Sequence, residues 1–581
     1  MKKVPIGIDS FNEIISDNYY FADKSLFIKD IIEDGSKVLL IPRPRRFGKS
    51  LNMSMLKYFF TSKNAEKNRE LFNGLKIEKE TEIMKLQGKY PLIYISFKDV
   101  KESSWENCYS NTKDLIQSLF DEFNYVLESP KLSKFEKIKF DDILLGQGNK
   151  SNYESSLKFL SKLLYNYHGV KPIILIDEYD QALITAHTNG YFKEAMNFYR
   201  NFLSAGLKDN ENFERAILTG ILRVAKESIF SGLNNLKVDS ILKNQFNYFG
   251  LSEEEVLEAL KYYKRDYEIQ EVKEWYNGYT FGKNLVYNPW SIINFIDNDE
   301  LTSFWVNTST NDLIRNGLSN LSSINYKQFV KLINLEPIEI EIEENISFEM
   351  LDNPDVIWNL MLFSGYLTLN ENKLVSFPNK EVRDFYITEF KRLAGYSINS
   401  FNSLLGYLMN KDIENFKGFL QEMFYTAVSY YDTDKEEKYY HNLMLGFVFG
   451  LSDNYEIRSN REYGTGRVDL LLKSKNNILP NYIFEFKVSK KKEDLESDCQ
   501  KALDQIEEKK YGIEIENPVK IGMSFYGKEI EVLGLAPMPI NLRKFTGTQN
   551  SAICLLSSFL FDIFSVFFIS FMFTYFFVTQ N

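Results

Sequence analysis

Short apolar runs alternate with amphipathic stretches over roughly the first 220 residues of the chain. The runs are rich in isoleucine and leucine, and each ends at a polar or small residue. Such runs are typical of buried parallel strands in an α/β protein. The pattern therefore predicts a parallel sheet with strands at residues 37–41, 92–97, the apolar part of 171–180, and 216–220.

The first run leads into a loop that reads R-P-R-R-F-G-K-S at residues 43–50. Gly48 allows the backbone to approach a phosphate, Lys49 reaches the terminal phosphates, and Ser50 offers a hydroxyl to Mg²⁺. Apolar residues then recur at helical spacing, so a helix N-terminus should face the anion. The loop departs from the common pattern at Arg43, which replaces the usual first glycine. We expect the nucleotide to contact the loop at Arg46, Phe47, Gly48, Lys49 and Ser50.

A later run ends in D-E-Y-D and places two carboxylates at the C-terminal edge of its strand. Asp177 would hold Mg²⁺, directly or through water, and Glu178 would polarise the attacking water. Thr219 ends the last run, and Arg223 follows where a sensor of the γ-phosphate would lie. The alternative is a buried strand capped by acidic residues. The pairing with Lys49 favours a nucleotide site whose ligands are ATP and Mg²⁺.

Composition limits the class of protein. The 581 residues allow roughly three or four domains, and 44% hydrophobic residues exclude global disorder. The net charge of −11 argues against non-specific coating of nucleic acid, although a local basic groove remains compatible with it. Three distant cysteines form neither a disulfide framework nor a zinc site, and the first residues lack the apolar core of a signal peptide. We expect an intracellular protein with its bulk in the cytoplasm.

The pattern becomes mainly helical from about residue 240 to residue 395. Ser252 and Glu255, three residues later, form a capping box at the start of one helix. Turn-rich aromatic segments at 275–282 and 288–291 interrupt the helices. Aromatic side chains there could stack on a base, but more often such residues pack a core.

Two apolar strands near the C-terminus, Val468–Leu472 and Tyr482–Val488, contain charged residues. Glu485 and Lys487 are two residues apart and project to one face of their strand, while the flanking phenylalanines face the other. Asp469 and Glu485 would supply oxygen ligands for Mg²⁺ or Mn²⁺. Lys487 would orient a water for attack on a phosphodiester.

A solvated hairpin with an ordinary cross-strand ion pair would contain the same charged residues. The cost of burying charge on an apolar strand favours a functional site instead. Helices on both sides add candidates, namely Glu437 and His441, four residues apart, and Gln505 downstream. The sequence therefore predicts a nuclease-type site that acts on DNA or RNA.

Together these segments resemble the AAA-ATPase-like proteins that carry a PD-(D/E)XK nuclease-superfamily domain at the C-terminus. The resemblance is collinear from Val4 to about Asn541. In such a family Arg43 is a regular variant of the loop. The segments that carry the resemblance are P-I-G-I-D-S-F-N-E-I, Y-F-A-D-K-S, R-P-R-R-F-G-K-S, I-I-L-I-D-E-Y-D, L-T-G-I-L-R-V-A-K, W-Y-N-G-Y, Y-N-P-W-S, G-R-V-D and F-E-F-K.

The resemblance implies a P-loop NTPase domain of the strand-catalytic-Glu type at 1–237, a mainly helical middle region at 238–395, and an α/β PD-(D/E)XK nuclease-like domain at 396–541. It implies ATP binding, ATP hydrolysis and a metal-dependent nuclease fold, but it does not establish cleavage. Two other hypotheses stay open. One is a nucleotide-switched binding or signalling module with a catalytically silent nuclease fold, and the other is an inactive remnant of a mobile element or defence system.

Residues 552–578 form the longest apolar stretch of the chain. A spanning helix needs about 20 predominantly apolar residues, so this stretch is long enough to cross a membrane, with Asp562 as its single charge. Arg543 and Lys544 precede it and would leave the N-terminal bulk in the cytosol. The alternative to a membrane anchor is a stretch foreign to the family, because the resemblance stops before it.

Overall fold

The structure of the chain is a computed structural model. It describes residues 1–208, 210–222, 235–306, 328–329, 331–333, 335–344, 356–393, 403, 406–427, 440–441, 444–445, 448, 451, 454–463, 466–476, 479–511 and 515–535. The chain divides into two compact units, Met1–Ile398 and Asn399–Asn581. Each unit contains a five-stranded sheet.

The sheet of the first unit has the order β2-β3-β4-β1-β5, and every neighbouring pair of strands in it is parallel. Strands β1, β3 and β4 are buried along their whole length, as continuous apolar runs are in parallel sheets. The predicted parallel α/β sheet is confirmed, and a short strand that the sequence did not predict lies at one edge. The strands are β1 Val38–Pro42, β2 Leu92–Ser96, β3 Ile173–Asp177, β4 Ala216–Gly220 and β5 Leu236–Val238.

Helices connect these strands, and several begin at serines that cap them. Ser104 and Ser133 each accept a hydrogen bond from the backbone N–H three residues later, which satisfies a donor that the helix leaves unpaired. The α-helices are α1 Phe11–Ser16, α2 Phe27–Glu33, α3 Lys49–Phe60, α4 Ala65–Glu70, α5 Thr81–Met84, α6 Trp105–Glu122, α7 Lys134–Leu144, α8 Lys150–Glu154, α9 Ser156–His168, α10 Gln181–Thr188 and α11 Phe192–Leu207. Short 3₁₀ helices span Lys76–Lys79 and Asn124–Glu128.

The region after β5 is mainly helical, as predicted, and contains two small hairpins. Ser252 and Glu255 form the predicted capping box, with both reciprocal hydrogen bonds present. The helices are α12 Glu253–Tyr263, α13 Ile269–Tyr276, α14 Pro289–Asn298, α15 Ile357–Phe363 and α16 Lys380–Leu393. The hairpins pair β6 Tyr279–Phe281 with β7 Asn284–Val286, and β8 Thr368–Leu369 with β9 Val375–Ser376.

Helices α12, α13 and α14 share one apolar core, which includes Val256, Tyr276 and Phe295. Tyr276 and Tyr279 of the predicted aromatic segment are fully buried. These aromatic side chains therefore pack a core, which is the more common of the two roles considered for them.

The second unit has a mixed sheet of order β10-β11-β12-β13-β14, in which β12 and β13 are parallel and the other pairs antiparallel. Helices α17 Ile413–Ala427 and α18 Leu495–Glu508 accompany it, with a 3₁₀ turn at Lys492–Asp494. The two predicted strands lie within β11 and β12. The strands are β10 Tyr455–Tyr463, β11 Gly466–Ser474, β12 Tyr482–Val488, β13 Val519–Tyr526 and β14 Glu529–Leu535.

Within the described ranges, no helix is both long and apolar enough to cross a membrane. The predicted span at 552–578 lies outside the residues that the structure describes and stays a prediction. The domain boundaries at 237, 395 and 541 also stay predictions.

Candidate functional site

The predicted phosphate loop joins the C-terminal end of β1 to the N-terminus of α3. Gly48 has φ +85°, a left-handed conformation that glycine adopts without steric cost, and Arg46 has φ +68°. In the described part of the chain, the backbone N–H groups of Arg46, Phe47 and Gly48 donate to no protein acceptor. Unpaired N–H groups at a helix N-terminus attract an anion. The loop therefore has the backbone expected of a phosphate site.

Lys49 brings the loop into contact with the acidic strand. Its ammonium is 3.1 Å from the Pro44 carbonyl oxygen and 3.3 Å from Glu178 Oε1, and only 3% of its side chain is exposed. Glu178 has φ +53°, and its Oε2 is buried without a hydrogen-bond partner among the described residues. The structure thus places two predicted site residues together and leaves an acceptor beside them.

Asp177 and Thr219 form the next part of the same site. The Thr219 hydroxyl donates to Asp177 Oδ1 at 2.5 Å, because β3 and β4 are neighbours in the sheet. Burial raises the pKa of Asp177, with the charge of Glu178 adding to it, while the hydroxyls of Thr219 and Ser50 oppose the shift. Four predicted residues therefore converge where these strands end.

Tyr179 and Asp180, which the sequence did not single out, hold the segment after β4. Asp180 Oδ2 accepts from the backbone N–H groups of Ile221 and Leu222 at 2.9 and 2.8 Å, and the Tyr179 hydroxyl donates to the Leu222 carbonyl at 2.7 Å. The second aspartate of the D-E-Y-D segment was the sequence feature that could have identified Asp180. Arg223, the predicted sensor, lies outside the described residues.

Arg43, in place of the usual glycine, turns its side chain into the protein interior. Its side chain is fully buried and forms an ion pair with Asp239 at 2.6 Å. It also donates to Asn244 Oδ1 at 2.7 Å, and its guanidinium lies 5.1 Å from the Phe249 ring centroid. Arg43 therefore anchors the loop to the region after β5.

Arg46 and Phe47 have different surroundings although both were expected to contact the nucleotide. Arg46 is an exposed residue, and its guanidinium lies 4.0 Å from the Trp290 ring centroid. Phe47 is fully buried, with its ring centroid 4.9 Å from that of Tyr279 and 5.1 Å from that of Phe281. Phe47 therefore packs the loop against the protein interior, whereas Arg46 is accessible to a ligand.

A mainly apolar cavity of about 90 Å³ lies beside the loop. Its lining includes Phe47 and Gly48 of the loop, Val4 of the N-terminal segment, and Leu251 and Ile292 from the region after β5. Two residues of the phosphate loop therefore form part of the cavity wall.

The second unit brings Asp469, Glu485 and Lys487 together on neighbouring strands. Leu470 is paired with Phe484 across β11 and β12, so Asp469 and Glu485 come next to each other along the ladder. The Phe486 N–H donates to Asp469 Oδ2 at 2.8 Å, and Lys487 Nζ lies 3.3 Å from Glu485 Oε1. Burial raises the pKa of Asp469.

Gln505 and Tyr511 extend this group. Gln505 Nε2 donates to Glu485 Oε1 and lies 3.3 Å from the Tyr511 hydroxyl. Burial raises the pKa of Tyr511, and the charges of Glu485 and Asp469 add to the shift. Gln505 therefore links Tyr511 to Glu485, although the sequence had singled out only Gln505.

His441 supports the strands instead of facing the carboxylates. Its Nε2 is 2.8 Å from the Asp469 backbone carbonyl oxygen and 3.1 Å from the Ser459 hydroxyl. Glu437, its predicted companion, lies outside the described residues. Among the described residues, the histidine thus contacts the backbone of Asp469 and the side chain of Ser459.

The described residues contain no group of three or more His, Cys, Asp or Glu side chains arranged to hold a metal ion. Mg²⁺ needs no such group when substrate phosphates and waters complete its shell, since one or two carboxylates suffice. Ser50 with Asp177, and Asp469 with Glu485, offer oxygen atoms of that kind. Both sites therefore fit a divalent cation by the chemistry of their donors.

Two known proteins are similar to parts of this chain. A curated relative from Azotobacter chroococcum mcd 1, described as "Uncharacterized protein in vnfD 5'region", is 24% identical over 510 residues, which is 84% of this chain and 89% of the relative. A solved Walker-type ATPase of Pyrococcus abyssi is similar over 66% of this chain and 97% of its own, with 14% identity and a TM-score of 0.35.

Two family models match separate parts of the chain. Residues 5–230 match the model described as Predicted AAA-ATPase, and residues 435–533 match the PD-(D/E)XK nuclease superfamily. The predicted resemblance is confirmed. This chain therefore joins an AAA-ATPase-like domain at its N-terminus to a PD-(D/E)XK nuclease-superfamily domain at its C-terminus.

Proposed function

We propose that the first unit binds and hydrolyses ATP at the loop 43–50 and at the ends of β3 and β4. The observation that carries this proposal is the contact between Lys49 and Glu178, 3.3 Å apart and largely shielded from solvent. A buried ion pair adds little stability over apolar packing, so its presence favours a chemical use.

In the proposed reaction Lys49 exchanges the Pro44 carbonyl and Glu178 for the terminal phosphates. Glu178 then has both oxygens available to orient a water for in-line attack on the γ-phosphate. Thr219 holds Asp177 in place, and Arg223 acts as the γ-phosphate sensor. Mg²⁺ held by Ser50 and Asp177 would neutralise charge on the phosphates.

The apolar cavity beside Gly48 supports a nucleotide over a simple phosphate. A base is flat and largely apolar on its faces, so it gains from a site lined by aliphatic side chains. Because Phe47 and Gly48 belong to both the loop and the cavity lining, we place the base in this cavity and the phosphates on the loop.

Two substitutions test this proposal. Lys49→Ala should weaken ATP binding roughly 10- to 100-fold, because a charge-assisted hydrogen bond contributes about 1.5–3 kcal/mol. Glu178→Gln should retain binding but lower hydrolysis by about 10²- to 10⁴-fold. Isothermal titration calorimetry and phosphate release are the measurements.

Lys67→Ala, at an exposed position on α4, is the matched control and should leave both measurements unchanged. Wild-type affinity in Lys49→Ala would disprove the nucleotide site. Wild-type hydrolysis in Glu178→Gln would disprove only the role of that carboxylate.

We also propose that the second unit cleaves phosphodiester bonds of DNA or RNA. Asp469 and Glu485 would hold Mg²⁺ or Mn²⁺, which supplies Lewis acidity when bound. Lys487 donates to an attacking water and thereby orients it, while Gln505 keeps Glu485 in place. The proximity of Lys487 to Glu485, 3.3 Å, supports this arrangement.

The rival function is a nucleotide-switched binding or signalling module in which the nuclease fold only grips a partner. It predicts no cleavage of DNA or RNA by the wild type with ATP and Mn²⁺. Cut products in that assay would decide for the nuclease, and their absence would decide for the rival.

A further inference from the structure

Each of the five residues that precede Gly48 contacts the part of the first unit beyond β5. Arg43 pairs with Asp239, and a Cβ added at Gly365 would lie 2.8 Å from the Pro44 Cβ. Arg45 is contacted by Trp305 and Arg46 by Trp290, while Phe47 is contacted by both Gly250 and Tyr279. The loop is therefore held along its length by a region far away in sequence.

Trp305 makes the most directional of these contacts. Its indole N–H donates to the Arg45 carbonyl oxygen at 3.1 Å, and only 1% of the residue is exposed. The Tyr366 and Tyr279 ring centroids lie 4.9 and 6.1 Å from that of Trp305. Aromatic packing thus fixes the direction of the indole N–H.

The Arg45 carbonyl matters because the peptide bond is planar and trans. Its oxygen and the N–H of Arg46 point in opposite directions. When Trp305 binds the oxygen, the Arg46 N–H is turned away from Trp305, and this N–H is one of the unpaired groups of the loop. The hydrogen bond from Trp305 to the Arg45 carbonyl therefore sets the direction of the Arg46 N–H, on the opposite side of the same peptide bond.

Glu381 fixes the backbone that carries Trp305. It is fully buried, and its Oε1 accepts from the N–H groups of Phe304, at 2.6 Å, and of Trp305. Its Oε2 accepts from the Ser291 hydroxyl at 2.7 Å. A buried carboxyl is costly unless hydrogen bonds satisfy it, and two of the donors to Glu381 are the N–H groups of Trp305 and the residue before it.

We propose that Trp305 and Glu381 are positioning residues that hold the phosphate loop in its ligand-binding shape. The inference rests on the proposed nucleotide function of the loop. It makes ATP affinity depend on residues that lie 260 or more positions away from Arg45 in sequence. It also supplies a route by which the region beyond β5 responds to a bound nucleotide.

The first test is Trp305→Phe, which keeps an aromatic ring and removes the N–H donor. ATP affinity should fall on the order of tenfold, as expected for one buried hydrogen bond. Titration calorimetry is done well below the melting temperature, with circular dichroism confirming the folded state. Trp105→Phe on α6 makes the same change away from the loop and should bind ATP like the wild type.

The second test changes Glu381 and can be interpreted even if the Trp305→Phe variant does not fold. Glu381→Gln keeps an oxygen for the two N–H groups and offers an NH₂ group to Ser291, so it should bind ATP within about twofold of the wild type. Glu381→Ala removes every acceptor and should lose on the order of tenfold in affinity. A purely structural role would lower the melting temperature of the alanine variant without changing the affinity of the folded protein.

The outcomes separate this inference from the proposed function. If Lys49→Ala loses ATP binding while Trp305→Phe and Glu381→Ala bind normally, the positioning role is wrong and the nucleotide site stands. If Lys49→Ala also binds ATP normally, the nucleotide site itself is wrong. Weakened binding in both positioning variants, with normal binding in Glu381→Gln, supports the inference.

Discussion

Three buried carboxyls of the first unit show how hydrogen bonds replace water around an acid. Asp177 accepts from a threonine hydroxyl, Asp180 from two backbone N–H groups, and Glu381 from two N–H groups and a serine. Burial is the largest cause in each case, and it raises the pKa of Asp180 to about 6 and that of Glu381 to about 7. These acids therefore keep protons at pH values where exposed carboxyls have lost them.

The pKa of Glu381 makes stability depend on pH. It rises from 4.5 to about 7 on folding, so the folded state holds a proton that the unfolded state has lost. The free energy of unfolding should therefore fall as pH rises from 4.5 to 7, by up to about 1.4 kcal/mol per pH unit. Glu381→Gln should lack the decrease in the free energy of unfolding that Glu381 causes. Urea unfolding of both proteins at pH 5 and pH 7.5 measures the difference.

The comparison of the two proteins isolates Glu381 because other groups titrate equally in both. Tyr276 and Tyr279 interact with its charge, but burial raises the pKa of each phenol, so both stay neutral in this range. If the free energy of unfolding changes with pH equally in the wild type and in Glu381→Gln, the pKa of Glu381 does not change on folding.

The sequence predicted a site residue where a short, recognisable pattern surrounds it. Lys49 and Glu178 each follow an apolar run in a short pattern, and the structure places them in contact. Trp305 and Glu381 have no such pattern, because their roles depend on partners far away in sequence. Arg43 was visible as an irregularity, but its partner Asp239 became apparent only in the fold.

At the scale of elements, strand order explains why the first site forms. Strands β3, β4 and β1 are adjacent and parallel, so their C-terminal ends lie side by side. Lys49 follows β1, Asp177 ends β3 and Thr219 lies near the end of β4. Local sequence predicted each strand, but the order of the strands results from long-range packing and could not be read from it.

Short elements were the ones missed. Strand β5 has three residues, and strands β8 and β9 have two each, so neither apolar periodicity nor length distinguishes them from loops. The hairpin β8–β9 follows Gly365, which packs against the phosphate loop. Supporting elements of the site are therefore less visible in sequence than its chemical groups.

Gly365 allows a close approach between a turn and the loop. It has φ +86°, and a Cβ there would lie 2.8 Å from the Pro44 Cβ. Gly365→Ala should lower the free energy of unfolding by at least about 1–2 kcal/mol, because a left-handed alanine is strained before the clash is counted. It should also weaken ATP binding by displacing Pro44. Chemical denaturation and calorimetry measure both effects.

Gly35→Ala is the matched control for this prediction. Gly35 has no atom within 4 Å of an added Cβ and does not require positive φ. Its substitution should change stability by no more than about 0.5 kcal/mol. Equal stability of the two variants would show that Gly365 is not a point of close contact.

At the scale of the whole molecule, the two candidate sites belong to different compact units. The proposed ATP site lies within Met1–Ile398 and the carboxylate pair within Asn399–Asn581. The sequence resemblance predicted both domains, since the collinear segments cover most of the chain. It did not predict whether the second site is active, because catalytic and silent copies of a fold can share the same ligands.

The two proposed activities should therefore be separable by substitution. Glu485→Gln should abolish metal-dependent cleavage of DNA or RNA, because the site loses a charged oxygen ligand, while ATP hydrolysis stays at the wild-type rate. Glu508→Gln, at the exposed end of α18, is the control for both assays. If the wild type cleaves and Glu485→Gln cleaves equally, the site assignment fails and the activity lies elsewhere.

The aromatic backing of the phosphate loop gives the protein an intrinsic optical probe. Of its five tryptophans, Trp290 lies against Arg46 and Trp305 is hydrogen-bonded to Arg45. Indole emission responds to nearby charge and to changes in hydrogen bonding. Arrival of a polyanion at the loop can therefore be followed in real time without attaching a dye, and the two indoles report on neighbouring residues of the same short segment.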